Sequence, residues 1–99
     1  MAVRLDPEGN ELVALTALVP SFAGRRVLEV GCGDGRLTRL YAEGAASVVA
    51  IDPDGAAIAI FSDDMPATLR RHVELRAVGF EDVAIPDHSV DVVLLSWFL

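Results

Sequence analysis

Three glycines stand at alternate positions, residues 31, 33 and 35, directly after the short apolar run of residues 27–30. Glycine adopts backbone conformations that other residues avoid, and it lets a ligand approach the main chain closely. A helical pattern begins just after this loop, and the unpaired amides at the start of a helix bind anionic groups. The spacing therefore predicts a strand, a tight turn and a helix that together hold a nucleotide-like ligand.

An acidic residue, Asp52, lies 21 residues after Gly31, at the end of a second apolar run. This interval suits a carboxylate that accepts hydrogen bonds from ribose hydroxyls. The glycine spacing differs from that of a dinucleotide-binding loop, because Arg36 stands where that loop has its third glycine. Glu29 also places a carboxylate beside the loop, where it suits an ammonium or sulfonium group better than a pyrophosphate. The pattern predicts a ligand that contains a nucleoside and is partly cationic.

The elements that position these residues alternate between helical and strand patterns. Helices are predicted over residues 6–19, from Leu37 to a cap at Gly44, and over residues 54–64. Strands are predicted over residues 27–30, 47–51, 73–78 and 90–96. Strands that alternate with helices pair in parallel, so the sequence predicts an open α/β sheet with flanking helices. We expect a single domain over residues 1–99, with a leading helix at 6–19 and a core at 27–99.

The segment from Leu28 to Arg36, LEVGCGDGR, resembles motif I of the class I S-adenosylmethionine-dependent methyltransferases. Asp52 falls at the position of the family's ribose-binding acid, and residues 81–93 resemble the stretch that leads from the adenine pocket into the fourth strand. The three motifs occur in the family's order. The resemblance implies a Rossmann-like fold, S-adenosylmethionine as cofactor, and transfer of its methyl group to an acceptor.

The resemblance assigns the methionine part of the cofactor to the glycine loop. Gly31, Gly33 and Gly35 would make room for it, and Cys32 belongs to the same loop. Glu29 would help to hold the amino end.

The resemblance assigns the rest of the cofactor to residues further along the chain. Asp52 would hold the ribose, and Pro53 and Phe80 would lie against the adenine ring. The backbone around Phe80 and Glu81 would read the edge of that ring, and Ser96 would lie near the methyl group. No catalytic residue is assigned.

One position departs from the family's pattern. Family members often carry an aspartate near the end of the third strand that accepts from the adenine amino group, and Gly79 stands there in this chain. Glu81 or Asp82 are the candidates to replace it. The loss of one hydrogen bond would weaken binding by about 0.5–1.5 kcal/mol, which does not exclude it.

The composition bounds the class of protein. Fifteen acidic residues against eight basic ones give a net charge of −7, which repels nucleic acid and anionic lipid surfaces. The chain has no lysine, which excludes a Walker-type phosphate loop and a Schiff-base lysine. One cysteine, and no signal-like or membrane-spanning run, indicate a cytoplasmic protein. We expect a small-molecule substrate and no nucleic-acid, membrane or metal partner.

Two alternatives to a complete methyltransferase stay open, and the first of them follows from the length. Members of the family usually continue through three more strands, so the sheet is expected to be truncated after the fourth strand, with residues 90–96 as an exposed apolar edge. The chain could then be an inactive remnant or an interaction module that associates with itself or a partner chain through this strand. An NAD-dependent oxidoreductase is the other alternative, because the sheet and Asp52 also suit NAD.

Overall fold

A computed structural model of the protein describes residues 2–4 and 22–96. The strands are β1 (Ala2–Arg4), β2 (Arg26–Val30), β3 (Ser47–Ile51), β4 (Val73–Arg76) and β5 (Val92–Leu95). The helices are α1 (Thr38–Tyr41), α2 (Gly55–Asp64) and α3 (Ala67–Arg70), and short 3₁₀ helices occupy Ala42–Gly44 and Phe80–Asp82. Within the described residues, no helix is long and apolar enough to cross a membrane. The leading helix predicted over residues 6–19 lies outside them.

The strands form one sheet in the order β1-β5-β2-β3-β4, and each pair of neighbours is parallel. β2 lies in the middle, with Leu28 beside Val49 of β3 and beside Val93 of β5. Parallel neighbours need connections that cross the sheet, and α1, α2 and α3 provide them between β2, β3 and β4. The predicted α/β fold, a Rossmann-like open parallel sheet with flanking helices, is confirmed.

Side chains along each strand alternate between the two faces of the sheet. On the helix-covered face, Val27, Val48 and Leu94 are almost completely buried. They pack with a cluster that includes Phe22, Leu37, Tyr41, Phe61, Met65 and Leu69. The centre of the other face is Leu28, Val30 and Ile51, covered by partly buried side chains from the segment 78–90. Glu29 lies in β2 on the helix-covered face, which places a carboxyl group in the most deeply buried part of the protein.

The strand expected to be an exposed edge is internal. Ala2–Arg4 pair with residues 93–95 on one side of β5, and β2 pairs with it on the other side. The expectation of an exposed edge is therefore wrong, and it was the reason for expecting a partner chain at this strand. Three residues are too few to show an alternating pattern, so the sequence analysis did not recognise β1.

One predicted element, β3, has its expected bounds, and a second, α2, begins one residue later than predicted. β3 spans Ser47–Ile51 as predicted. α2 follows Asp54, whose carboxylate accepts hydrogen bonds from the amides of Ala56 and Ala57 at 3.0 and 3.1 Å and thus caps the helix. The helix ends before the Met65-Pro66 step, since a residue before proline disfavours helical geometry. The helix predicted from Leu37 to Gly44 consists of α1 followed by the 3₁₀ helix Ala42–Gly44. α3 and the 3₁₀ helix Phe80–Asp82 escaped prediction because they are only four and three residues long.

Arg26 and Asp91 join β2 and β5 at the end of the sheet away from the glycine loop. The main-chain N and Nε of Arg26 donate to Oδ2 of Asp91 at 2.9 and 3.2 Å, and Nη2 donates to Oδ1 at 3.0 Å. The amide of Asp91 donates to the carbonyl of Arg26 at 2.7 Å. The side-chain and main-chain hydrogen bonds from Arg26 lower the pKa of Asp91 to about 2. This clamp fixes the register of two central strands without contributing to the candidate site.

Candidate functional site

The carboxyl ends of β2, β3 and β5 meet at one edge of the sheet, where two adjoining cavities open. The first, which we call the apolar cavity, measures about 610 Å³. Its walls include Val30, Ile51, Val78 and Leu95. The second, which we call the polar cavity, measures about 290 Å³ and lies against the glycine loop. Gly31 and Asp52 border both cavities, so together they form one continuous cleft.

Nine of the ten predicted site residues border this cleft. Glu29, Gly31, Cys32, Gly33, Asp52 and Ser96 border the polar cavity, and Gly31, Asp52, Pro53, Phe80 and Glu81 border the apolar cavity. Gly35 is the exception, since it borders neither. The apolar walls were not predicted from the sequence, although their alternation along β2, β3 and β5 could have indicated which side chains share that face.

Gly33 and Gly35 have left-handed φ angles of 57° and 89°. A Cβ atom on Gly33 would have no neighbour within 4 Å, so this glycine faces open space in the cleft. A Cβ atom on Gly35 would lie 2.6 Å from atoms of the Phe61 ring, so this glycine is needed for packing against α2. The amides of Gly31 and Cys32 both donate to the carbonyl of Ile51, at 2.8 and 3.0 Å, and hold the start of the loop against β3.

Asp52 links the glycine loop to the start of α2. Its Oδ2 accepts from the amide of Gly33 at 2.9 Å, and its Oδ1 accepts from the amide of Asp54 at 2.8 Å. A carboxylate oxygen has two lone pairs, so each oxygen can accept one more hydrogen bond from a ligand. The two main-chain bonds fix the orientation of this carboxylate where the two cavities join.

Glu29 lies beneath the polar cavity and is completely buried. Its Oε1 is 2.7 Å from the hydroxyl of Thr38 and 2.5 Å from that of Tyr41, both on α1. Its Oε2 is 2.8 Å from the hydroxyl of Ser96, which follows β5. Burial raises the pKa of Glu29, whereas the hydrogen bonds from Tyr41, Thr38 and Ser96 oppose that rise. The carboxyl group therefore connects β2, α1 and the end of β5.

The rim of the apolar cavity is formed by the 3₁₀ helix Phe80–Asp82. Phe80 is 58% exposed, so its ring is accessible to a ligand at this rim. A Cβ atom on Gly79 would lie 2.5 Å from Oε1 of Glu81. The carboxylate of Glu81 thus occupies the space in which a side chain at position 79 would begin.

The thiol of Cys32 is not activated as a nucleophile. Cys32 is buried, and this burial raises the pKa of its thiol, so the nucleophilic thiolate is disfavoured. Across the described segments 2–4 and 22–96, no group of three or more histidines, cysteines or acids is placed to hold a metal ion.

Comparison with known proteins agrees with this geometry. A model of the methyltransferase domain family matches residues 27–99. The chain is 31% identical over 96 residues to phosphoethanolamine N-methyltransferase 1 of Triticum aestivum, covering 95% of this chain and 19% of that protein. It is 37% identical over 82 residues to the probable S-adenosylmethionine-dependent methyltransferase Rv3030 of Mycobacterium tuberculosis, covering 83% of this chain and 28% of that protein.

A solved structure gives the same result. An S-adenosylmethionine-dependent methyltransferase from Mesorhizobium loti aligns with a TM-score of 0.71 at 26% identity, covering 87% of this chain and 38% of that one. The chain belongs to the methyltransferase domain family. The predicted resemblance to class I S-adenosylmethionine-dependent methyltransferases is thereby confirmed, with S-adenosylmethionine as the cofactor. The chain spans only 19% and 28% of the two curated relatives.

Proposed function

We propose that this chain forms the cofactor-binding half of an S-adenosylmethionine-dependent methyltransferase. The observation that carries the proposal is the two-part cleft, in which an apolar and a polar cavity meet at the fixed carboxylate of Asp52. S-adenosylmethionine has a matching polarity, with an apolar adenine ring, a ribose and a charged methionine part. The apolar cavity, at about 610 Å³, is within the usual size range of small-molecule sites.

Each part of the cofactor has a place in this cleft. The adenine ring would lie in the apolar cavity against Pro53 and Phe80, with its amino group near Glu81. The ribose hydroxyls would donate to Asp52, through the lone pairs that Gly33 and Asp54 leave available.

The methionine part would lie in the polar cavity, over the open space at Gly33 and beside Gly31 and Cys32. Glu29 lies beneath it, and Ser96 borders the end of the cavity nearest β5. Gly35 supports the loop from behind through its contact with Phe61.

The bound cofactor supplies an activated methyl group, and the chain's own residues bind it, orient it and exclude water. Such positioning is a large part of catalysis for a reaction between two oriented partners. We assign no general base and no acceptor-binding side chain.

We also propose a small-molecule acceptor and a cytoplasmic location. A net charge of −7 supports a small-molecule acceptor over a nucleic acid, because an acidic surface repels phosphate groups. The single cysteine supports a cytoplasmic location. We retain the division into a leading helix at residues 6–19 and a core at residues 27–99.

Calorimetric titration of the chain with S-adenosylhomocysteine, S-adenosylmethionine and NAD tests the proposal. We expect saturable binding of both adenosyl ligands and weaker binding of NAD. Asp52→Ala should reduce affinity about a hundredfold, because it removes charged hydrogen-bond acceptors and frees the glycine loop. The matched control is Asp54→Ala, which removes only the helix cap and should leave affinity nearly unchanged. Tighter binding of NAD, or equal binding by both variants, would contradict the proposal.

A further inference from the structure

Glu29 has three hydroxyl groups around its carboxyl group and, among the residues that the structure describes, no basic partner. The hydroxyls of Thr38, Tyr41 and Ser96 approach its two oxygens at 2.7, 2.5 and 2.8 Å. The side chain is completely buried, and none of the ion pairs found among the described residues includes it. Burial of a carboxylate that lacks a cationic partner is costly, and such a group usually keeps its proton instead.

The surroundings of Ser96 distinguish the two protonation states. Its Oγ lies 2.8 Å from Oε2 of Glu29 and 3.1 Å from the carbonyl oxygens of both Val30 and Gly31. A serine hydroxyl has one proton to donate. If Glu29 is ionised, that one proton must serve three oxygen contacts. If Glu29 is protonated at Oε2, it donates to Ser96, and the two carbonyls share the proton of Ser96. Only the protonated acid gives every contact a hydrogen.

The groups around Glu29 supply no hydrogen-bonded counter-ion within the described residues. The titratable or charged groups around it are Tyr41 on α1, Cys32, Asp34 and Arg36 in the glycine loop, and Asp52 after β3. Burial raises the pKa of both Tyr41 and Cys32, so these two groups are neutral at pH 7. Asp34 and Asp52 border the same cavity and are acidic, so neither offers an ionised Glu29 a counter-ion. Arg36 is exposed, and no hydrogen bond joins it to Glu29 in the described part of the chain.

We propose that Glu29 is a neutral carboxylic acid that positions Ser96 beneath the polar cavity, and that it is not the anionic partner of the cofactor's ammonium group. The second half of this statement rests on the proposed function. Glu29 is thus a positioning residue. This role differs from the one that the resemblance implies, in which Glu29 holds the amino end of the cofactor. Glutamine has the same shape as a neutral glutamic acid and can make the same hydrogen bonds. In Glu29→Gln the amide oxygen accepts from Thr38 and Tyr41, and the amide nitrogen donates to Ser96.

Infrared spectroscopy of the chain without any cofactor tests whether Glu29 is a neutral acid. At neutral pH we expect the carbonyl stretch of one protonated carboxylic acid in the wild type and its absence in Glu29→Gln. Ser96→Ala should shift the band, because the acid loses the group to which it donates. An ionised Glu29 predicts no such band. Its absence from the folded wild type at neutral pH would overturn the proposal.

The pH dependence of stability provides a second measurement. A folded state that raises the pKa of Glu29 above 4.5 retains a proton that the unfolded chain releases. The wild type should therefore lose stability as the pH rises above 4.5, until the pKa of the folded state is passed. Glu29→Gln should lack this part of the profile. Identical slopes for the two proteins would contradict a neutral Glu29.

The affinity for S-adenosylhomocysteine tests whether Glu29 is the anionic partner of the ammonium group. S-adenosylhomocysteine should bind to Glu29→Gln within about threefold of the wild type, since no charge is lost. A loss of more than about tenfold by the folded variant would make Glu29 the anionic partner and overturn this half. If the acid band is present but neither protein binds the ligand, the proposed function fails and the neutral state of Glu29 stands.

Discussion

The two halves of the cleft are built differently. In the polar cavity, Glu29 and Ser96 are 0% and 5% exposed, and each is held by several hydrogen bonds. At the rim of the apolar cavity, Phe80 is 58% exposed, and Glu81 has no hydrogen-bond partner within the described residues. One half is part of the folded core, whereas the other is a surface that a ligand would complete. Substitutions in the first should therefore change stability, and substitutions in the second should change affinity.

The largest effect is expected at the back of the glycine loop. Gly35→Ala places a methyl group against the Phe61 ring at a φ of 89°, so it adds both overlap and backbone strain. We expect the free energy of unfolding to fall by about 3 kcal/mol in urea titrations. Gly33→Ala is the control, because its methyl group meets open space, and it should cost about 1 kcal/mol. Equal losses would remove the distinction between the two glycines.

A smaller effect is expected from substitution of Phe80, which should lower ligand affinity without changing stability. Phe80→Ala removes the aromatic surface on which the adenine ring would stack, so affinity for S-adenosylhomocysteine should fall about tenfold. The unfolding midpoint should hardly change, since the ring is mostly exposed. Phe80→Tyr keeps an aromatic ring and should bind like the wild type. A large loss of stability in Phe80→Ala would show that this rim belongs to the core.

Substitution of Glu81 is expected to change the preference for a ligand with adenine over one with hypoxanthine. Its carboxylate can accept from the amino group of adenine but repels the keto oxygen of hypoxanthine. Glu81→Gln can donate to that oxygen, so the preference for S-adenosylhomocysteine over S-inosylhomocysteine should fall about threefold. Asp82→Asn should leave the preference unchanged, because the Asp82 side chain does not border the cavity. An unchanged preference in Glu81→Gln would assign base recognition to the main chain.

The Arg26–Asp91 clamp lies outside both cavities and should have no effect on binding. Its hydrogen bonds lower the pKa of Asp91 from 3.8 to about 2, so they stabilise the fold above pH 3.8. This stabilisation is lost as the pH falls toward about 2. Asp91→Asn should lack that part of the pH profile and bind S-adenosylhomocysteine like the wild type. Acid titration followed by circular dichroism measures the difference, and any loss of affinity would link the clamp to the site.

Local patterns explain why much of the fold and site could be predicted. Runs of β-branched residues predict the strands. The glycine spacing, together with Asp52, predicts the strand ends at which the cleft opens. Parallel pairing then brings those strand ends to one edge. These features depend on neighbours in the sequence, so one sequence is sufficient to find them.

Long-range contacts explain what could not be predicted. The ring that requires Gly35 comes from α2, and the hydroxyls around Glu29 come from α1 and from the residue after β5. No spacing rule connects these positions, because their meeting depends on how helices pack on the sheet. β1 was missed for a related reason, since its three residues are recognised as a strand through their pairing with β5, which is distant in the sequence.

The place of β5 in the sheet also affects how the protein folds. β5 lies between β1 and β2, although it follows both along the chain, and its pairing joins Ala2 to Val93. The entropy of closing so long a loop opposes this pairing before its hydrogen bonds can compensate, which slows folding. During synthesis, β1 and β2 leave the ribosome before the strand that separates them. The sheet can therefore acquire its native order only after residues 92–95 have emerged, and the nascent chain exposes its apolar strands until then.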